Sequence, residues 1–165
     1  YGSPAESLAT KFCELDVERF GVIEGVNDRG YYENSFHFPS YLDNNPFDKI
    51  DIENKYLPYT LGGNMIYVES TGLEVNQKAF EAIWDYMYEN ILYGGINNPL
   101  DSCFECGFEG EFTATERGYE CPHCKNNNPD TINVVRRLCG YLGSIVARPV
   151  ISGKDKEIRS RVDHT

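Results

Sequence analysis

The strongest periodic signal in the chain runs from Asn76 to Leu92. There Phe80, Ile83, Trp84, Met87, Tyr88 and Ile91 recur three and four residues apart and form one wide apolar stripe. At that spacing the aromatics are read as core, with no bound cofactor needed to explain them. Gly94-Gly95 is expected to end this helix. A second helix is predicted from Ser3 through Glu18, with Leu8, Phe12, Leu15 and Phe20 at helical spacing and Gly21 as its stop. Ser3 can cap it, Pro4 suits the first helical position, and Glu6 completes a capping box.

Between these helices the pattern is irregular. Asn27-Asp28-Arg29-Gly30 is a turn signal, Tyr31 to Phe38 is an aromatic-rich run predicted as a strand, and Asn44-Asn45-Pro46 is another turn. Asp48 to Tyr59 reads as mostly loop. Met65 to Glu69, led in by Leu61-Gly62-Gly63-Asn64, reads as a short buried strand. Helices and strands therefore alternate before the first cysteine pair, which suits α/β packing. Two helices and two or three strands are too few to close a barrel, so residues 1–100 are expected to be the last part of one. The chain opens on Tyr1 with a helix-start signal at once, and is expected to be the C-terminal piece of a longer protein.

After Leu100 the character changes. Residues 101–130 are rich in Cys, Gly, Phe and Asn, and are predicted to form a small module held by something other than a hydrophobic core. Its pattern is Cys103-Phe-Glu-Cys106 followed, after fourteen residues, by Cys121-Pro-His-Cys124. A Cys-x-x-Cys turn points two thiolates at one ion, and two such turns joined by a hairpin complete a tetrahedron. Phe108 to Tyr119 fits that hairpin. Soft thiolates favour zinc over magnesium or calcium, and zinc is preferred to two disulfides or an iron–sulfur cluster. Four protein ligands leave no open position, so the zinc is expected to be structural and to brace the segment that follows. His123, between two ligands, is read as a bystander. Cys13 is read as core.

Charge changes the picture in one respect. The net charge is -11, yet residues 131–165 hold seven Lys/Arg against three Asp/Glu. The acidic body argues against a nucleic-acid partner. The basic tail is either a solvated end or a surface that docks on an acidic partner or a phosphate. No apolar run is long enough to span a membrane, so no membrane association is expected. Cysteines grouped as metal ligands suit a reducing compartment, and the expected location is cytoplasmic, a host cytoplasm if the gene belongs to a phage.

Residues 131–165 contain the second chemical signal. Apolar residues and two glycines at Val134 to Gly143 could form a buried strand and turn. The run Arg137-Leu138-Cys139-Gly140-Tyr141-Leu142-Gly143, however, resembles the signature of glycyl-radical enzymes, with Leu138 in place of a β-branched residue. A four-cysteine module just before it narrows the resemblance to the anaerobic (class III) ribonucleoside-triphosphate reductases, nearest in pattern to the phage T4 type. Ala147-Arg148-Pro149, the run from Gly153 to His164, Tyr1-Gly2-Ser3-Pro4-Ala5-Glu6 and Asn34-Ser35-x-His37 are similar to that family too.

The resemblance implies a ten-stranded α/β barrel of the glycyl-radical type, ended by residues 1–100. A zinc ribbon at 101–130 and a radical loop with a basic tail at 131–165 would follow. It implies anaerobic reduction of ribonucleoside triphosphates to deoxyribonucleoside triphosphates, with a stored radical on Gly140 and formate as reductant. A separate activase, using S-adenosylmethionine and a 4Fe-4S cluster, would generate that radical. It would pass to a thiyl cysteine outside this chain. Glu6 would accept the proton of the substrate 3′-hydroxyl, and Tyr1 would line the same pocket. A homodimer and nucleotide effectors bound elsewhere are also implied. For His37 a hydrogen bond inside the barrel is the preferred role. Arg136 and Arg137 could anchor the radical loop, meet the activase, or form plain salt bridges. Two other classes remain as alternatives: a stand-alone spare part that restores a radical to an oxygen-cut enzyme, and a zinc-ribbon interaction module without redox activity.

Overall fold

A computed structural model describes residues 3–33, 37–72, 75–138, 142–147 and 150–162, with the backbone alone described at residues 3–6. Two compact units emerge: the described residues of 1–33 and 99–160 form one, and those of 34–98 and 161–165 the other. No described helix is long and apolar enough to cross a membrane.

The second unit is built around a parallel β-α-β crossover. Strand β1 (Ile66–Glu69) pairs with β2 (Gly94–Asn97), Ile66 opposite Gly94 and Glu69 opposite Asn97, and helix α3 (Gln77–Asn90) connects them. Asn76 caps α3, its side chain accepting from the Ala79 N–H at 3.3 Å. Gly94 does not end this helix. It opens β2, against β1, where an added Cβ would lie 2.5 Å from the Met87 methyl and 2.9 Å from the Ile66 carbonyl. Glycine is required there by close packing rather than by a helix stop. Only part of the predicted stripe is core: Ile83 and Met87 are buried with Ile50, Ile66 and Val68, whereas Phe80, Trp84 and Tyr88 are exposed. Phe80 and Trp84 stack on each other at 5.9 Å on the outside of the helix.

The segment read as turn and loop is a helix, α2 (Pro46–Asn54), followed by a 3-10 turn at Leu57–Tyr59. Its start was written in Asn45-Pro46: the Asn45 side chain accepts from the Asp48 N–H at 2.9 Å, and proline occupies the first turn. The alternation of acids and apolar residues hid a helix with one narrow buried face, centred on Ile50. Phe47 packs edge-on against Tyr86 of α3 at 5.0 Å, and the Tyr86 hydroxyl donates to Asp51 at 2.6 Å. On the same helix Glu53 is fully buried. It accepts from the Phe38 N–H at 2.8 Å, from His37 Nδ1 at 2.9 Å and from Lys49 Nζ.

In the first unit, helix α1 (Ser3–Phe20) ends where Gly21 turns left-handed, its N–H donating to Val17 O at 2.9 Å. Cys13 is wholly buried, as expected, its Sγ donating to Asn27 O at 3.3 Å; burial pushes the thiol up. Leu8, Phe12 and Leu15 are more than two-fifths exposed, so the described residues do not cover the predicted stripe. Tyr31 to Glu33 is not strand, and residues 34–36 lie outside the description. In place of a strand, Tyr31 meets Ser160 Oγ at 3.0 Å and Tyr32 donates to Asp16 at 2.7 Å. Helix α4 (Ser152–Arg159) lies close to α1, where Gly153 leaves no room for a Cβ beside Thr10.

The Glu53 cluster gives a pH test. Burial opposes its charge, but His37 and Lys49 outweigh burial and hold the carboxyl below its ordinary 4.5. The stabilisation is therefore complete above pH 4.5 and is lost as pH falls through the lower folded value. Glu53→Gln should cost about 3–5 kcal/mol at neutral pH and flatten the acid limb of a urea-unfolding series.

Candidate metal centre

The cysteine pairs sit on very short strands. Strand β3 (Asp101–Cys103) ends at the first ligand and is flanked by β4 (Glu109–Gly110) and β7 (Ile132–Asn133), both antiparallel to it. Strands β5 (Thr113–Thr115) and β6 (Gly118–Glu120) form the expected hairpin, and β6 delivers Cys121. The two Cys-x-x-Cys turns repeat one design. In the first, Cys103 N–H donates to Phe108 O and Gly107 N–H to Cys103 O, both at 2.9 Å. In the second, Cys121 N–H donates to Asn126 O at 2.9 Å and Lys125 N–H to Cys121 O at 3.0 Å. The residue after each second cysteine is left-handed: Gly107 at φ 72 and Lys125 at φ 62.

These turns bring four sulfurs together. All lie within 4.8 Å of one another, with Cys103 to Cys124 at 3.6 Å and Cys106 to Cys121 at 3.7 Å. A regular tetrahedron with metal–sulfur bonds of about 2.3 Å has edges near 3.8 Å, whereas a disulfide needs about 2.05 Å. The donor set and its spacing thus fit a single tetrahedral ion and exclude a bonded pair. His123 is exposed and outside the cluster.

The electrostatics point the same way. Burial alone would raise the Cys103 thiol, yet the Asn126 amide and the Cys106 and Glu105 N–H groups bring it down to about 6. Cys124 is pushed up to about 12: the Asn126 N–H lowers it, but burial and the three neighbouring sulfurs outweigh that pull. Cys106 is raised as well, its Phe108 N–H outweighed by burial and by Cys103 and Cys121. The Cys103 thiolate forms readily while Cys106 and Cys124 resist, a conflict that a divalent cation would remove.

The module has more core than its composition suggested. Phe112, Tyr119, Ile132 and Val134 are buried with Cys103 and Cys121. Two contributors escaped the sequence reading. Asn126 donates to Cys103 Sγ at 3.5 Å and to Thr131 Oγ1 at 2.8 Å, but nothing in Asn126-Asn127-Asn128 singles out one residue. Asp101 is fully buried, an acid with no sequence signal beyond preceding a ligand by two residues.

Beyond the ribbon, β8 (Val135–Arg137) pairs antiparallel with β9 (Leu142–Ser144), Arg137 opposite Leu142. Gly140, Cys139 and Tyr141 lie outside the described residues, as do Tyr1, Asn34, Ser35, Arg148 and Pro149. Glu6 is on α1, its side chain outside the description. Arg136 forms a salt bridge with Asp101, one of its three expected roles. His37 makes a structural hydrogen bond, to Glu53.

Fold and site together define a mixed α/β chain with a four-cysteine cluster able to hold a metal just ahead of a paired-strand segment. A model of the anaerobic ribonucleoside-triphosphate reductase family matches residues 1–164. Proteins of that description from Haemophilus influenzae and Escherichia coli are each 48% identical over 99% of this chain, and that of Enterobacteria phage T4 is 43% identical. The chain therefore belongs to the anaerobic ribonucleoside-triphosphate reductase family. It spans 23% of the length of the two bacterial relatives and 27% of the phage protein. A solved anaerobic ribonucleotide reductase superposes with a TM-score of 0.62 at 20% identity, over 97% of this chain and 24% of that one, which shows a shared fold.

Cys121→Ser should abolish stoichiometric metal binding and, with it, the amide protection of residues 103–126, because apparent site energies of about 10–16 kcal/mol greatly exceed what so small a core supplies. Gly107→Ala should leave the metal bound but lower ribbon stability by about 1–2 kcal/mol, the left-handed penalty for a residue with a Cβ. Metal analysis and hydrogen exchange check both.

Proposed function

We propose that this chain corresponds to the C-terminal part of an anaerobic reductase that converts ribonucleoside triphosphates to deoxyribonucleoside triphosphates by radical chemistry, with Gly140 as the radical store. The supporting observation is the family match across residues 1–164, a span that includes the Arg137 to Gly143 motif. The division into barrel end at 1–100, ribbon at 101–130 and radical loop with tail at 131–165 belongs to the same proposal, as does a cytoplasmic location.

The chemistry explains the residue. Loss of an α-hydrogen leaves an electron shared between the amide nitrogen and the carbonyl of Gly140, which requires a planar α-carbon. A Cβ would crowd that carbon, and glycine alone lacks one. A separate activase, whose S-adenosylmethionine and iron–sulfur cluster would supply the radical chemistry, would take the hydrogen atom. The glycyl radical would then take the thiol hydrogen of a cysteine outside this chain, and the resulting thiyl would take the 3′-hydrogen of the ribose. Formate serves as reductant, and the assembly is a homodimer with nucleotide effectors bound elsewhere. Oxygen adds to the stored radical and cuts the chain at Gly140.

Cys103, Cys106, Cys121 and Cys124 would hold the zinc, which supplies a fixed cross-link between the two turns and no open coordination position. The roles of Glu6 and Tyr1 are those the family resemblance implies. The Glu6 carboxylate accepts the proton of the substrate 3′-hydroxyl, which assists loss of water from C2′. Tyr1 lines the same pocket.

Anaerobic activation of the full-length reductase carrying α-carbon-labelled glycine should give a paramagnetic doublet with coupling to the label. Gly140→Ala should erase the signal while zinc content stays the same. A normal protein of this fold with no such doublet would remove the radical assignment. Glu6→Gln should store a full radical yet lose turnover by about 100-fold or more, the usual scale of a lost general base.

A further inference from the structure

Asp101 does more than occupy a strand beside the four-cysteine cluster. Its carboxylate is 1% exposed and bonded on both oxygens. Oδ2 accepts from the Phe112 N–H at 2.8 Å, next to the β5–β6 hairpin. Oδ1 accepts from the Val135 N–H at 3.0 Å and from the Arg136 guanidinium. These bonds cross a break in the sheet. Up to Asn133 the chain is laddered to β3, with Ser102 opposite Asn133. From Val135 it is laddered to β9 instead, and the two ladders share no strand pairing. Arg136 extends the joint: it lies over the Tyr119 ring at 5.3 Å, and Arg159 of α4 lies over the same ring at 5.0 Å while donating to Thr115 O at 2.8 Å.

We propose that Asp101 is a positioning residue: its buried carboxylate joins the cysteine-held ribbon to strand β8, so that order imposed at the four thiolates is carried to the backbone entering the Arg137–Gly143 segment. The chemistry demands a carboxylate. Asp101 accepts three hydrogen bonds and donates none, whereas an asparagine offers one carbonyl oxygen and turns an N–H₂ group toward a backbone N–H. A buried ion pair by itself is weak evidence for stability. The two backbone donors on the same carboxylate are what make this one a joint. The link from β8 to a stored radical rests on the function proposed above; the mechanical coupling does not.

The test uses the full-length zinc-loaded reductase, Asp101→Asn, and the double variant Asp101→Asn/Arg136→Gln, which leaves no unpaired buried charge. Both should keep one zinc per chain and wild-type protection at residues 103–126. Exchange at 132–138 should be faster by about tenfold or more, the scale of one lost buried bond. Chelating zinc should accelerate 132–138 strongly in the wild type and little further in the variants, and the glycyl doublet of the variants should be weaker or shorter-lived. Unchanged exchange at 132–138 in both variants, or chelation that acts equally with and without Asp101, would overturn the joint. So would loss of zinc from both variants, which would make the carboxylate a support of the ribbon itself. A wild-type enzyme with the exchange coupling but no doublet would instead count against the radical reading alone.

Discussion

Four thiols gathered within 4.8 Å are the constraint on which the first unit depends. At that spacing the Cys103 thiol is held low while burial and the neighbouring sulfurs push Cys106 and Cys124 up. A cation held by the four sulfurs would convert that repulsion into a cross-link between two turns distant in sequence. The need is evident from the scaffold: strands of two or three residues and a single small buried cluster cannot hold a ribbon by burial alone. The left-handed residues after Cys106 and Cys124 exist to aim the sulfurs, and a lysine tolerates this conformation at one of them.

The second unit solves a different problem with a different kind of core. Its β-α-β crossover buries aliphatic residues from α2, β1 and α3 in one cluster. Beside it Glu53 is buried with charged partners on two sides. A carboxylate in that position is costly to desolvate, and its three donors offset the cost while fixing the approach of residues 37 and 38 to α2. Asp101 plays the matching part in the first unit. In both places a buried acid accepts from a cationic side chain and from backbone N–H groups.

Large apolar side chains remain on the surface: Phe12 and Leu15 on α1, Trp84 and Tyr88 on α3. Helical spacing marks them as members of an apolar stripe but cannot say what meets the stripe. Among the described residues, β1 and α2 cover the Ile83 and Met87 side of α3.

Some features were legible because one local rule decided them. Two Cys-x-x-Cys pairs at hairpin separation specify a four-sulfur site whatever surrounds them, since ligand geometry is set within each turn. The Gly21 stop of α1 and strand β1 followed from backbone and side-chain preferences inside a few residues. The glycine motif was equally legible as a pattern, through its likeness to a family. Other features depended on partners far away in the chain. Helix α2 exists because Ile50 and Glu53 find α3 and residues 37–38, so its own alternating text read as loop. Gly94 is glycine because Ile66 and Met87 crowd it, not because a helix ends there. Asp101 gained its role only when the fold set Phe112, Val135 and Arg136 around one carboxylate. Local preference acts over a turn of chain, whereas close packing and buried hydrogen bonding are settled by neighbours that the order of residues does not reveal.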